Sequence, residues 1–334
     1  MPQRPLFRTL AIFILMLSTI TACSGAKENR PSSAGAAGTG GSGEKPVIKI
    51  GYLPITHAAP LYIADAFEEE SDWPFTLELI KFGSWPDLMH ALNTGNIDGA
   101  SVLIELAMKA KEQGIGLKAV ALGHKDGNVL VVANDIGKTE DLKGKPFAIP
   151  SRFSTHNILL YQMLKNAGMA YSDVQAVELA PAEMPAALSE GRIAGYVVAE
   201  PFGAISVVAG KGKVLYQSGE IWENSVDCGL VLRDAFIGKD RELAQAFVNA
   251  YLEAGRKAEH KSEDERAVLK KYMNVDDKVL ELSLQWIAYD ELRLDEESYE
   301  RLRVYLREMG LSENPPTFGD FVDNSFIDAA AGAS

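Results

Sequence analysis

Two Thr-His pairs stand out among the residues able to do chemistry. Thr56-His57 lies in "IGYLPITHAAPLYIA" and Thr155-His156 in "AIPSRFSTHNILLYQML". Each pair follows a strand-like apolar run and opens a run with helical spacing. A hydroxyl or amide there can cap the first unpaired N–H groups of a helix, and a helix start also attracts anions. The second run is denser than a cap requires, with Arg152, Ser154, Thr155, His156 and Asn157 close together. Arg152 is either a two-pronged anion clamp or an exposed loop residue. Trp85, after Ser84 at another helix start, offers a flat apolar wall or a core cap. Glu200 ends the apolar run "GYVVAE", where a carboxylate is costly to bury unpaired. It therefore pairs with Arg152 or Arg192, or accepts from a ligand amine or amide. Glu105 raises the same choice in the first half of the chain. His57, His156 and Glu200 are also types that acid–base or zinc sites use. The chain has no His-x-x-x-His pair, nucleophile elbow or phosphate-binding loop, so no catalysis, metal or cofactor is assigned.

These residues need elements to hold them, and an internal repeat supplies them. "THAAPLY" from Thr56 matches "THNILLY" from Thr155, and "ALNTGNIDGASVLIE" from Ala91 matches "ALSEGRIAGYVVAEP" from Ala187. The matches come in the same order at nearly equal offsets. Each half reads strand, helix, strand, helix, strand, with Gly95, Gly168 and Gly191 closing helices. This alternation predicts two mostly parallel sheets covered on both faces, one per lobe. Ligands of such sheets bind at the carboxyl ends of strands, so both Thr-His turns should face one cleft. After "CGLVLRDAFI" the chain turns helical from Asp240 to Leu311 and should pack back on the first lobe, giving two crossovers and a hinge. The expected division is 47–132 plus 229–334 for lobe 1 and 133–228 for lobe 2.

The segment before the lobes has a different character. Arg4 and Arg8 precede the short apolar core Leu10 to Leu17, which reads as a signal peptide over 1–22. Ile20-Thr21-Ala22-Cys23 is similar to a bacterial lipobox, so Cys23 is expected to be lipidated. The Gly-, Ser- and Ala-rich stretch over 23–46 then reads as a flexible tether. This predicts an exported body anchored to the outer face of the cell membrane. The formal charge of −13 becomes about −15 without the leader, which argues against nucleic acid and anionic lipid as partners. Cys228 is the only other cysteine, so no intrachain disulfide is expected in the body.

With these motifs in place, the sequence resembles the substrate-binding proteins of ABC importers for nitrate, sulfonates, taurine and bicarbonate, a family that includes pyrimidine-precursor binders. The resemblance rests on "IGYLPITHAAPLYIA", "GSWPDLMHALNTGNIDGA", "LKGKPFAIPSRFSTHNILL", "GYVVAEPF" and "IWENSVDCGLVLRDAFI". It implies the bilobed type II periplasmic-binding-protein fold, an α/β architecture with a hinge and an interlobe cleft. It implies a pocket lined by Thr56, His57, Ser84, Trp85, Ser154, Thr155, His156, Asn157 and Glu200. It also implies partners, namely a permease and an ATPase, for a monomeric binder. "FSTHN" departs from the Gly-Thr-His-Asp type loop of nitrate and bicarbonate members. The expected ligand is therefore a small organic anion of taurine or sulfonate type, with nitrate, bicarbonate or a planar nitrogen heterocycle as alternatives.

Overall fold

Short apolar runs separated by amphipathic ones form two five-stranded sheets. The computed structural model describes residues 45–332. The expected leader, Cys23 and the tether up to residue 44 lie outside the described residues. The strands are β1 (Val47–Tyr52), β2 (Thr76–Lys81), β3 (Gly99–Leu103), β4 (Leu117–Leu122), β5 (Lys125–Asp126) and β6 (Asn128–Val132). They continue as β7 (Pro146–Ile149), β8 (Gln175–Glu178), β9 (Gly195–Ala199), β10 (Lys213–Gln217), β11 (Cys228–Arg233) and β12 (Ile287–Ala288).

The first sheet has the order β2-β1-β3-β11-β4 and the second β10-β6-β9-β7-β8. β1 is parallel to β2 and β3, and β7 is parallel to β8 and β9. In each sheet one strand, β11 or β6, runs antiparallel to both its neighbours. The repeat expected from sequence is thus present in the strand order. Residues alternate between the faces of a strand. In β6, Leu130 and Val132 face the main apolar core, while Val129 and Val131 face a second cluster with Tyr196, Val198 and Met184.

The lobe boundary differs from the expected one. β6 pairs in the second sheet, so the chain crosses at 123–127, before Asn128 rather than after Val132. The physical marker is Asp126-Gly127, both at positive φ (56° and 83°), which breaks the chain ahead of an uninterrupted apolar strand. The return crossing lies between β10 and β11. The C-terminal helices divide between the lobes. Arg241–His260 and Glu263–Met273 pack on Ala59–Phe67 of the first lobe, but Asp277–Leu284 packs on Phe202–Val208 of the second. β12 pairs with β5, tying this C-terminal segment to the first crossing. Among the described residues, no helix is long and apolar enough to cross a membrane.

Candidate functional site

The site grows out of strand ends. β1 and β7 each run into a turn followed by a helix start, and these turns carry Thr56-His57 and Thr155-His156. Ser154 caps the helix Thr155–Asn166, its Oγ accepting from Asn157 N at 3.2 Å. Asn157 braces the same turn, donating to Arg152 O at 2.9 Å and accepting from the Tyr171 hydroxyl at 2.6 Å. Capping fixes where Thr155 and His156 emerge.

The two lobes meet through the threonines. Thr56 donates from its backbone N and its Oγ1 to Glu200 O, at 2.8 and 3.0 Å. The Thr155 hydroxyl donates toward the Glu105 carboxyl and the Val226 carbonyl. Each lobe's helix start therefore grips a segment from outside its own lobe.

Between these contacts lies a buried cluster of titratable groups. His57, His124, His156, Asp227 and Glu105 are at most 4% exposed. Asp227 is the centre: its Oδ2 lies 3.1 Å from His57 Nδ1 and 3.5 Å from His124 Nε2, and its Oδ1 lies 3.8 Å from His156 Nδ1. Asn128 Nδ2 donates to Asp227 Oδ2 at 2.9 Å. The rings of His57 and His124 stack with centroids 3.5 Å apart. Burial raises the proton affinity of Asp227, but the attraction of His156, His124 and His57 outweighs it and holds the carboxyl well below its usual range. Burial, helped by the neighbouring His57, pushes His124 down to about 4. Burial also lowers His156 against the pull of Asp227. Glu105 is raised well above its usual range, by burial and then by the charge of Asp227. Several polar atoms in this space make no hydrogen bond within the protein: both ring nitrogens of His156, Glu105 Oε2 and Asp227 Oδ1.

The sequence-predicted residues divide accordingly. Thr56, His57, Thr155 and His156 come together at the lobe junction. Ser154 and Asn157 are buried beside them and hold the turn. Trp85 is buried in the main apolar core, with its indole N–H unpartnered. Glu200 accepts from Ala204 N at 2.9 Å and Ser283 Oγ at 3.0 Å, not from an arginine. Burial pushes its pKa up to about 8. Arg152 is exposed, its backbone N donating to the Glu178 carboxylate, which matches the exposed-loop alternative rather than the anion clamp. Among the described residues, no Lys or Arg forms an ion pair with Glu105, Asp227 or Glu200. Sequence reading missed His124, Asn128 and Asp227. Their only signal is position beside turn residues, in "GHKDGN" and "SVDCG", where the chain changes lobes. A separate cavity of about 990 Å³, lined by Asn224, Arg256, Tyr289 and Leu292 among others, contains none of the clustered groups.

Residues 41–273 match the model of the NMT1-like family. The chain is similar to the taurine-binding periplasmic protein of Escherichia coli, with 32% identity over 207 residues covering 60% of this chain and 63% of that one. It is similar to the ligand-binding component of an ABC-type import system from Staphylococcus aureus, solved with zinc bound. That match has 41% identity and a TM-score of 0.82, covering 85% of this chain and 99% of the other. The periplasmic nitrate-binding protein NrtA of Synechocystis shares the fold at 18% identity and a TM-score of 0.73, covering 87% and 89% of the two chains. The chain spans 37% to 63% of the length of the first curated relatives it matches.

Proposed function

Since the chain belongs to the NMT1-like family, we propose that it is the solute-binding component of an ABC importer, closing two lobes on a small molecule and delivering it to a permease driven by an ATPase. The observation that carries this reading is the set of unpartnered polar atoms buried where the lobes meet. Buried polar groups without partners are costly, and a ligand that bonds them recovers that cost. The solute class is a small organic anion that also carries a donor or ammonium group, as taurine does. The acids Glu105 and Asp227 suit the donor end, and His156 with the two helix starts suits the acceptor end. Nitrate, bicarbonate and planar nitrogen heterocycles are the competing solutes.

A thermal-shift series over taurine, alkanesulfonates, nitrate, bicarbonate and pyrimidines tests the choice. A true solute at a hundred times its Kd stabilises by about 2.7 kcal/mol. Stabilisation by nitrate alone removes the organic-solute choice, and stabilisation by none of these compounds counts against the reading. No catalytic step is part of it. The body is exported and held at the outer face of the cell membrane through lipidated Cys23; Cys23→Ser should release it to the soluble fraction. A second reading, in which the cleft takes a metal ion, is supported by the 41% identical S. aureus component solved with zinc.

A further inference from the structure

We infer that His57, His124, Asp227 and Cys228 form a tetrahedral centre for one divalent transition-metal ion of the zinc class, at the point where both crossovers meet the first lobe. This deepens the metal-ion reading just given and rests on it.

The donor atoms are already gathered. One atom from each residue, two ring nitrogens, a carboxylate oxygen and the thiol sulfur, lies within 4.8 Å of all the others, and all four residues are buried. His57 Nδ1 is 3.1 Å from Asp227 Oδ2 and 3.4 Å from Cys228 Sγ, and His124 Nε2 is 3.5 Å from Asp227 Oδ2. A tetrahedron with zinc–ligand bonds of about 2.0–2.3 Å has edges of about 3.3–3.8 Å. The separations of 3.1, 3.4 and 3.5 Å match these edges, and pairs as far apart as 4.8 Å draw in by about 1 Å around one ion.

The orientation of the rings points the same way. His57 Nε2 faces Gly127 O at 3.2 Å, and His124 Nδ1 faces Asp126 O at 2.6 Å. A carbonyl only accepts, so each outer nitrogen carries its proton. In the neutral rings each inner nitrogen then presents a lone pair; that of His57 lies 3.4 Å from Cys228 Sγ and 3.1 Å from Asp227 Oδ2, and that of His124 lies 3.5 Å from the same carboxylate oxygen. A cation placed between these acceptors relieves their mutual repulsion. Two imidazolium rings stacked 3.5 Å apart repel, so protons on both histidines do not replace the ion. Imidazoles anchored through the second nitrogen, beside a hydrogen-bonded carboxylate, are the outer arrangement that metal-bound histidines use. Asn128 completes it by holding Asp227 Oδ2. Nitrogen and sulfur donors select zinc-class ions over calcium or magnesium.

The ligands come from three segments: the turn after β1, the first crossing, and the second crossing at the start of β11. An ion there ties both crossings to the Thr56-His57 turn. The second lobe follows through Asn128 on β6 and His156 beside Asp227. Metal occupancy thereby favours one relative setting of the lobes.

The test uses the full mature chain, stripped with a chelator. Zn(II) is titrated against a chromophoric competitor, and Co(II) is followed by absorbance. One equivalent should bind, and Co(II) should show tetrahedral bands plus a thiolate charge-transfer band that Cys228→Ser abolishes. His124→Gln should weaken zinc at least about a hundredfold, and Asn128→Ala about tenfold through the loosened carboxylate. His90→Gln, on an exposed helix position, should change nothing. Metal-free melting of each variant separates lost ligation from lost fold, and Cys228→Ser, a near-isosteric change, keeps the test decisive if His124→Gln misfolds. Tight zinc binding unchanged in both His124→Gln and Cys228→Ser overturns this site while leaving the metal-ion reading standing. No zinc binding by the parent overturns both.

Discussion

Glu200 shows how a buried carboxyl shapes the molecule's pH response. It is fully buried, with Oε2 bonded and Oε1 without a partner. Its pKa stands at about 8 against an ordinary 4.5. The folded protein therefore keeps this proton where the unfolded chain releases it. Its stabilising share is full below about 4.5 and is lost as pH rises toward about 8, with a slope of up to about 1.4 kcal/mol per pH unit. Glu200→Gln should flatten that part of the profile in urea unfolding at pH 5, 6.5 and 8. A variant slope equal to the parent's would assign the dependence to other groups. Thr155→Val should cost roughly 1–3 kcal/mol, because the Glu105 carboxyl and the Val226 carbonyl lose their buried partner. Equilibrium unfolding reads this directly, and an unchanged midpoint would mean the contact carries no net stability. At this scale the sequence exposed the Thr-His pairs, because a hydroxyl at a helix start leaves a local signature. It did not expose Asp227, whose role depends on three histidines distant in the chain.

The elements that matter most are the capped helix at the lobe junction and the first crossing. Ser154→Ala and Ser84→Ala each remove an N-cap and should each cost about 1 kcal/mol. Only Ser154→Ala should also weaken solute binding, since its helix start carries Thr155 and His156. Equal solute affinity in the two variants would separate the Ser154 turn from the site. At the first crossing, a Cβ on Gly123 would lie 2.7 Å from the His57 carbonyl and 3.4 Å from the Cys228 carbonyl. Gly123→Ala should therefore destabilise by about 1–3 kcal/mol and push the His57 turn away from Cys228. A melting curve matching the parent's would show that the crossing yields without cost. The strand and helix alternation was legible because each element's apolar spacing is local. The lobe assignment of β6 was not, because an apolar strand reads the same in either sheet.

At the scale of the whole molecule, two sheets of matching order are joined by two crossings, and the C-terminal helices touch both. The described body should scatter as a compact monomer with a radius of gyration of about 19 Å when closed. A markedly larger value with solute and metal present would contradict the closed monomer. The sequence by itself determined the two repeated halves, the helix starts that carry Thr56-His57 and Thr155-His156, and the net acidic character of the chain. Those features are written within a few neighbouring residues or in composition. Only the tertiary structure decided that Arg152 stays at the surface and that Glu200 turns to Ser283. It alone placed His124 and Asp227 beside His57. The reason is distance along the chain: a cap joins residues three apart, whereas His57 meets Cys228 across 171 residues, and nothing local records which partner the folded sheets bring.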